Sequence, residues 1–213
     1  MLDEMKSQLV EVAKLAYKKG MVNTYEGNLS VRKGDFICIT PSGVSKGLLN
    51  EDMISVIDLD GRIIEGSCKP SSEWRLHALS YINRTDINAV IHAHSPYTTA
   101  YAIANKAIET KAYPEMIVFF DKIPLADYGT QATDEIFDGV KKYIPDHDAI
   151  LLANHGIITI GKDIYDTFYR LEAAESIAKA LILSEFLGGG KDLPQAKIDE
   201  LYEIRRNKIK NSK

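Results

Sequence analysis

Two tight turns in the first third of the chain constrain its fold more than any other feature. NLSVR (28–32) and DFICIT (35–40) flank Lys33-Gly34, and ISVIDLDGRII (54–64) turns at Asp60-Gly61. Apolar runs of alternating character around a short glycine turn read as β-hairpins. Hairpins make antiparallel neighbours, which argues against a purely parallel, doubly wound sheet. No GxGxxG or GxxxxGK[ST] pattern follows a strand to support one.

The other elements fit a sheet with helices around it. Residues 2–20 carry apolar Leu2, Met5, Leu9, Val12, Ala13 and Ala16 at helical spacing, with Gly20 placed to end the helix. Further helices are expected over 71–83, 95–106, 131–144 (apolar side Ile136, Val140, Ile144), 164–189 and 195–210. Strands are expected at Ala89–Ile91, Met116–Phe120, AILLAN and GIITIG. At 213 residues and 45% hydrophobic content, the chain can fill one α/β core without disulfide staples.

Charge and cysteine usage narrow the partners. The net charge is −4, and the one basic cluster is the tail RRNKIKNSK, so no nucleic acid partner is expected. Cys38 and Cys68 form no CxxC pair and read as reduced thiols of a cytoplasmic protein. No run of eighteen apolar residues exists, and the acidic N-terminal stretch reads as a helix rather than a signal peptide. No membrane partner is expected.

The chemistry concentrates in three places. NAVIHAHS (88–95) ends an apolar strand on His92 and His94, and side chains two apart on a strand face the same way. A third histidine, His155, sits in LLANHGI between two apolar runs. Three neutral imidazoles with an open position make a catalytic zinc site. Ordinary hydrogen-bonded histidines at strand ends fit the same pattern. Gly27-Asn28 precedes the first strand of the first hairpin, and Pro41-Ser42-Gly43 follows the second. Such turns can turn backbone N–H groups and hydroxyls on a phosphate, or be turns and nothing more. In Pro70-Ser71-Ser72-Glu73 a serine can cap the next helix, with Glu73 in its first turn. The same atoms would suit an anion site with a carboxylate base beside it. Tyr113, held extended by Pro114, reads as a half-buried core aromatic. Together these groups suit a small phosphorylated sugar held at one end, with proton transfer at its middle. The rival reading is an α/β protein without catalysis.

The strings EGNLSVR, ITPSGVSKG, KPSSEWRLH, AVIHAHSP, YGT and LLANHGI occur in this order across residues 5–190. In this the chain resembles the zinc-dependent class II aldolases of the fuculose-phosphate type. Those share their fold with ribulose-phosphate 4-epimerases, rhamnulose-phosphate aldolases and methylthioribulose-phosphate dehydratases. The resemblance implies a three-layer α/β/α domain over 1–213 with a central, mainly antiparallel sheet and a mobile C-terminal segment at 190–213. It implies one Zn2+ per subunit on His92, His94 and His155. It puts substrate phosphate at Gly27, Asn28, Ser42, Gly43, Ser71 and Ser72, and the acid/base on Glu73. Tyr113 corresponds to a tyrosine supplied by a neighbouring subunit of a cyclic homotetramer with active sites between subunits. The implied reaction is reversible cleavage of a ketose 1-phosphate, such as L-fuculose 1-phosphate, to dihydroxyacetone phosphate and a short aldehyde. The glutamate of SSEW stands where the epimerase branch typically has aspartate, which favours the aldolase branch. L-ribulose-5-phosphate 4-epimerase and methylthioribulose-1-phosphate dehydratase are the alternatives. Tyr202, the only tyrosine beyond the long helix, is given no role.

Overall fold

The computed structural model describes residues 2–130, 133 and 135–211. Eight strands form one sheet: β1 (Asn28–Lys33), β2 (Phe36–Ile39), β3 (Ser55–Asp58), β4 (Ile63–Glu65), β5 (Ala89–Ala93), β6 (Leu125–Ala126), β7 (Ala149–Leu152) and β8 (Gly156–Gly161). Their order is β4-β3-β2-β1-β5-β8-β7-β6. Every neighbouring pair is antiparallel except β6–β7. The hairpins thus set the character of the sheet, as their turns require.

Alternation along the strands gives the sheet two buried faces. Leu29, Val31, Cys38, Val56 and Ile91 point to one face. There they pack with Leu9 and Val12 of α1 (Leu2–Lys18) and with Phe168 and Leu171 of α5 (Ile164–Glu185); α3 (Pro96–Ile103) also lies on this side. Ile37, Ile39, Ile57 and Val90 point to the other. They meet Leu76 and Tyr81 of α2 (Trp74–Asn83) and Ile136 and Val140 of α4 (Glu135–Lys141). Helix, sheet and helix therefore stack as three layers.

The last helix, α6 (Gln195–Asn211), rests against residues 116–120. Tyr202 Oη donates to Asp121 Oδ1 at 2.5 Å, and Lys111 Nζ bonds both groups. Among the described residues no helix is long and apolar enough to cross a membrane.

Several boundaries differ from the sequence expectation. Lys33 pairs with Phe36, so the first hairpin turns on Gly34-Asp35, with Gly34 at φ +60°, one residue later than expected. Helix α2 starts at Trp74 rather than 71, because the Ser71 hydroxyl and carbonyl take the N–H groups of Glu73 and Trp74 before regular helix begins. The strand expected at Met116–Phe120 is a π-helical turn, closed by Asp121 N–H on the Met116 carbonyl at 2.7 Å. Its apolar run buries Met116, Ile117 and Phe120 and leaves Phe119 exposed. That spacing suits a helical turn, and a short apolar run carries no period to distinguish one from a strand. Helix α3 stops at Ile103, where Asn105 at φ +53° ends it, and α5 stops at Glu185, ahead of Gly188 and Gly189, both at positive φ. The expected helix 131–144 is seen as α4; positions 131, 132 and 134 of that expectation lie outside the described residues.

Candidate metal centre

Strand β5 lies in the middle of the sheet, so its C-terminal end is walled by strands on both sides. His92 sits opposite Asn28 of β1 and Ile158 of β8, and His94 follows one residue past the strand. His155 reaches the same place from the β7–β8 turn. Asn154 takes a left-handed conformation there, at φ +58°, and the His155 N–H returns to the Leu152 carbonyl at 3.0 Å. The glycine after it is a steric requirement. A Cβ on Gly156 would lie 2.4 Å from the Ala93 carbonyl oxygen and 3.0 Å from His94 Cδ2. Only glycine lets this turn close on β5.

The three imidazoles converge. Their ring centroids are 4.8 Å (His92–His94), 4.6 Å (His92–His155) and 4.7 Å (His94–His155) apart. The Nε2 atoms of His92 and His94 stand 2.9 Å from each other. His92 Nδ1 donates to the Ile157 carbonyl at 3.0 Å, which leaves its Nε2 lone pair facing the cluster. Burial, and next the neighbouring His94, push the His92 pKa down to about 3. His155 is lowered too, first by burial and then by His92, and His94 by burial. All three are neutral at pH 7, as metal ligands must be.

Glu73 completes the cluster from the N-terminus of α2. Its Oε2 is 3.5 Å from His92 Nε2 and its Oε1 is 3.7 Å from His155 Nε2. Both ring nitrogens of His155, and Glu73 Oε1, are buried without a hydrogen-bond partner. Buried polar atoms are nearly always paired, so such a concentration of partnerless ones calls for a cause. A divalent cation held among the three imidazoles would supply it. Three nitrogen donors beside a carboxylate match a catalytic rather than a structural metal site. Ligand atoms of these three histidines lie within 4.8 Å of one another, so a single ion fits between them.

The turns singled out in the sequence meet beside this cluster. Pro41 and Pro70 form an isolated bridge, Ser42 N–H donates to the Lys69 carbonyl at 3.0 Å, and Ser71 N–H donates to the Thr40 carbonyl at 3.1 Å. The 41–43 and 70–72 turns therefore lie side by side, with Ser71 buried and Ser42, Gly43 and Ser72 exposed. Gly27 and Asn28 lead into β1, next to β2. Gly27, at φ +79°, is crowded: a Cβ would fall 2.5 Å from Val22 Cγ1 and 3.1 Å from the His92 carbonyl oxygen. The Asn28 side chain turns to Glu73 Oε2, to which its Nδ2 donates at 2.7 Å. Among the described residues no hydrogen bond or ring contact joins Tyr113 to the histidines. It is half-buried against the α1/α3/α5 side of the core, and its carbonyl accepts the Met116 N–H.

Three contributors escape sequence reasoning. Lys46 is buried, donates to the Thr24 carbonyl at 3.2 Å, and has its pKa lowered by burial against the opposing pull of Glu73. Glu26 Oε1 lies 3.8 Å from His94 Nδ1. His77 bonds the far side of Asn28. The signal for His77 was its spacing of four from Glu73 on a helix; Lys46 opens a single 3-10 turn (Lys46–Leu48) and Glu26 lies in a loop, segments too short or irregular to carry a period.

Comparison with known proteins agrees with this geometry. Residues 7–182 match the family model described as the class II aldolase and adducin N-terminal domain. An L-fuculose phosphate aldolase of Methanocaldococcus jannaschii is 39% identical over 179 residues, covering 84% of this chain and 96% of that protein. A 5-deoxy-D-ribulose 1-phosphate aldolase of Bacillus thuringiensis serovar kurstaki is 32% identical over 204 residues, covering 94% and 95%. A solved L-fuculose 1-phosphate aldolase superposes with a TM-score of 0.86 at 31% identity, covering 94% of this chain and 95% of its own. The match in sequence and fold has one meaning: the chain belongs to the class II aldolase and adducin N-terminal domain family, and within it to the aldolases, which are metal-dependent carbon–carbon lyases.

Proposed function

We propose that the chain is a zinc-dependent aldolase that cleaves L-fuculose 1-phosphate, or a related deoxy-ketose 1-phosphate, to dihydroxyacetone phosphate and a short aldehyde. The observation that carries this reading is a partnerless carboxylate oxygen, Glu73 Oε1, buried 3.7 Å from one of three converging neutral imidazoles. His92, His94 and His155 hold the metal, and an all-imidazole donor set suits zinc. When bound, zinc supplies Lewis-acid stabilisation of the negative charge left on the three-carbon fragment.

This chain's own groups do the rest. Gly27, Asn28, Ser42, Gly43, Ser71 and Ser72 hold the phosphate, which fixes the sugar's first carbons against the histidines. The hydroxyl of Tyr113 of a neighbouring subunit helps remove the C4 hydroxyl proton as the C3–C4 bond breaks, passing its own proton on to solvent as it accepts that one. The aldehyde leaves, and Glu73 delivers a proton to C3 to complete dihydroxyacetone phosphate. In condensation Glu73 removes that proton. The correspondence of Tyr113 to a tyrosine supplied by a neighbouring subunit supports a homotetramer with sites between subunits. So do the exposed apolar side chains of Tyr169, Leu183, Phe186 and Leu187 on and after α5. Cys38 and Cys68 are free thiols, which supports a cytoplasmic setting.

The test is a cleavage assay on zinc-loaded protein with a chelated control. L-Fuculose 1-phosphate, 5-deoxyribulose 1-phosphate, methylthioribulose 1-phosphate and L-ribulose 5-phosphate are offered in parallel. Dihydroxyacetone phosphate released from a ketose 1-phosphate, and lost on chelation, is the expected result. Conversion of ribulose 5-phosphate to its C4 epimer, or loss of water without aldehyde, would overturn it.

A further inference from the structure

A line of buried hydrogen bonds leads away from Glu73 and Asn28 to side chains, His77, Ser30 and Tyr81, that touch neither metal nor substrate. Glu73, His77 and Tyr81 follow one another at intervals of four and share one stripe of α2. Asn28 and Ser30, two apart on β1, face that stripe. Asn28 Nδ2 is 2.7 Å from Glu73 Oε2, and Asn28 Oδ1 is 2.5 Å from His77 Nε2. His77 Nδ1 is 2.6 Å from Ser30 Oγ, and Ser30 Oγ is 2.7 Å from Tyr81 Oη. Ser30, His77 and Tyr81 are wholly buried, and Asn28 is 5% exposed.

From these contacts we infer that His77 is a positioning residue: it anchors the Asn28 amide in the orientation the Glu73 carboxylate requires, and through that amide it holds Glu73 so that Oε1 is the oxygen that carries the proton. The inference rests on the reading of Glu73 as the acid/base. The direction of the chain follows from what each group can do. A carboxylate accepts, so Asn28 must turn its NH2 to Glu73 and its carbonyl to His77. That carbonyl accepts, so the His77 proton is on Nε2. The neutral ring then has a lone pair on Nδ1, which takes the Ser30 hydroxyl proton. The Ser30 oxygen in turn accepts from the Tyr81 hydroxyl. Every link donates toward Glu73. Oε2 is thereby engaged, and Oε1, which has no partner, is left facing the imidazoles. Without His77 the Asn28 amide keeps only its bond to Glu73, its carbonyl end is unanchored, and the tether that holds Glu73 in place is free to move.

Two substitutions of similar size separate this role from packing. In His77→Gln the terminal amide reaches the place of Nε2 and still donates to Asn28. In His77→Asn it reaches only the place of Nδ1 and meets Ser30 instead. Turnover of H77N is expected to fall about 10–100-fold, the usual cost of losing a partner that orients a site residue. H77Q is expected to stay near the unmodified enzyme, with zinc content unchanged in both. Equal turnover of two folded variants would overturn the inference. The second measurement needs neither variant to be active: nitrogen-15 histidine spectra of the unmodified, zinc-loaded protein, with His77 assigned by its disappearance in H77Q. Protonated Nε2 and bare Nδ1 are expected; a proton on Nδ1 would overturn the inference. If the unmodified protein cleaves no ketose 1-phosphate, the aldolase reading fails instead, and the spectra still decide the orientation of this chain.

Discussion

Glu175, on α5, caps the helix that follows the metal cluster by accepting from Thr98: its Oε2 takes the Thr98 N–H at 2.9 Å, while Oε1 takes that of Tyr97 at 2.9 Å. Helix α3 starts at Pro96, two residues after His94, and no side chain of its own N-cap, Ser95, serves its first N–H groups. A buried carboxylate from another helix does so, where the helix dipole also favours negative charge. Glu175→Ala removes two charge-assisted bonds and is expected to cost about 3 kcal/mol; Glu175→Gln, which keeps one, about 1–2 kcal/mol. Urea unfolding at fixed protein concentration measures both. Zinc affinity of the alanine variant is expected to weaken as well, because the cap fixes the segment that carries His94.

Glu73→Gln keeps the shape of the side chain and removes its ability to move a proton. Zinc content should be unchanged and turnover should fall by about 10²–10⁴-fold. Full turnover with zinc bound would remove Glu73 from the acid/base role.

His155→Ala takes away one of three nitrogen donors while leaving the β7–β8 turn with Gly156. The loss of zinc affinity should exceed the roughly 10–100-fold that losing an orienting partner costs. Elemental analysis after dialysis against a weak chelator reads it directly. Zinc retained at the parent level would exclude His155 from the ligand set.

The metal-free protein should lose stability on mild acidification. His92 and His77 are both held down to about 3 from an ordinary 6.5, in each case first by burial. Below pH 6.5 the unfolded chain takes up protons that the folded chain refuses, so stability is full above that pH and declines as pH falls toward 3. The slope is at most about 1.4 kcal/mol per pH unit for each ring. Melting temperatures of chelated protein from pH 7.5 to 4.5 test this. A flat profile between 6.5 and 4.5 would show that the two rings are not held neutral.

How far the sequence could be read depended on whether a feature is local. His92 and His94 share a face because strand geometry has a period of two, and that is visible in HAH. The Asp60-Gly61 hairpin and its antiparallel consequence are equally local, with Asp58 accepting the N–H groups of Asp60 and Arg62 around the turn. The 41–43 and 70–72 turns were recognisable singly; their meeting through the Pro41–Pro70 bridge was not. The Ser30–His77–Tyr81 series was hidden for the same reason. Ser30 reads as one polar residue in an alternating strand and Tyr81 as one aromatic on a helix, until β1 and α2 are packed together. Met116–Phe120 misled because five apolar residues in a row carry no period at all.

The seam between β1 and β5 has a consequence for how the protein is made. Asn28 and Glu73 leave the ribosome early, His92 and His94 later, and His155 only after most of the chain has been synthesised. β1 pairs with β5, and β5 with β8, across long stretches of sequence. Such distant pairings are the slow steps of folding. A nascent chain therefore carries Glu73 long before its three histidines can converge, and their convergence marks the moment at which the sheet has closed.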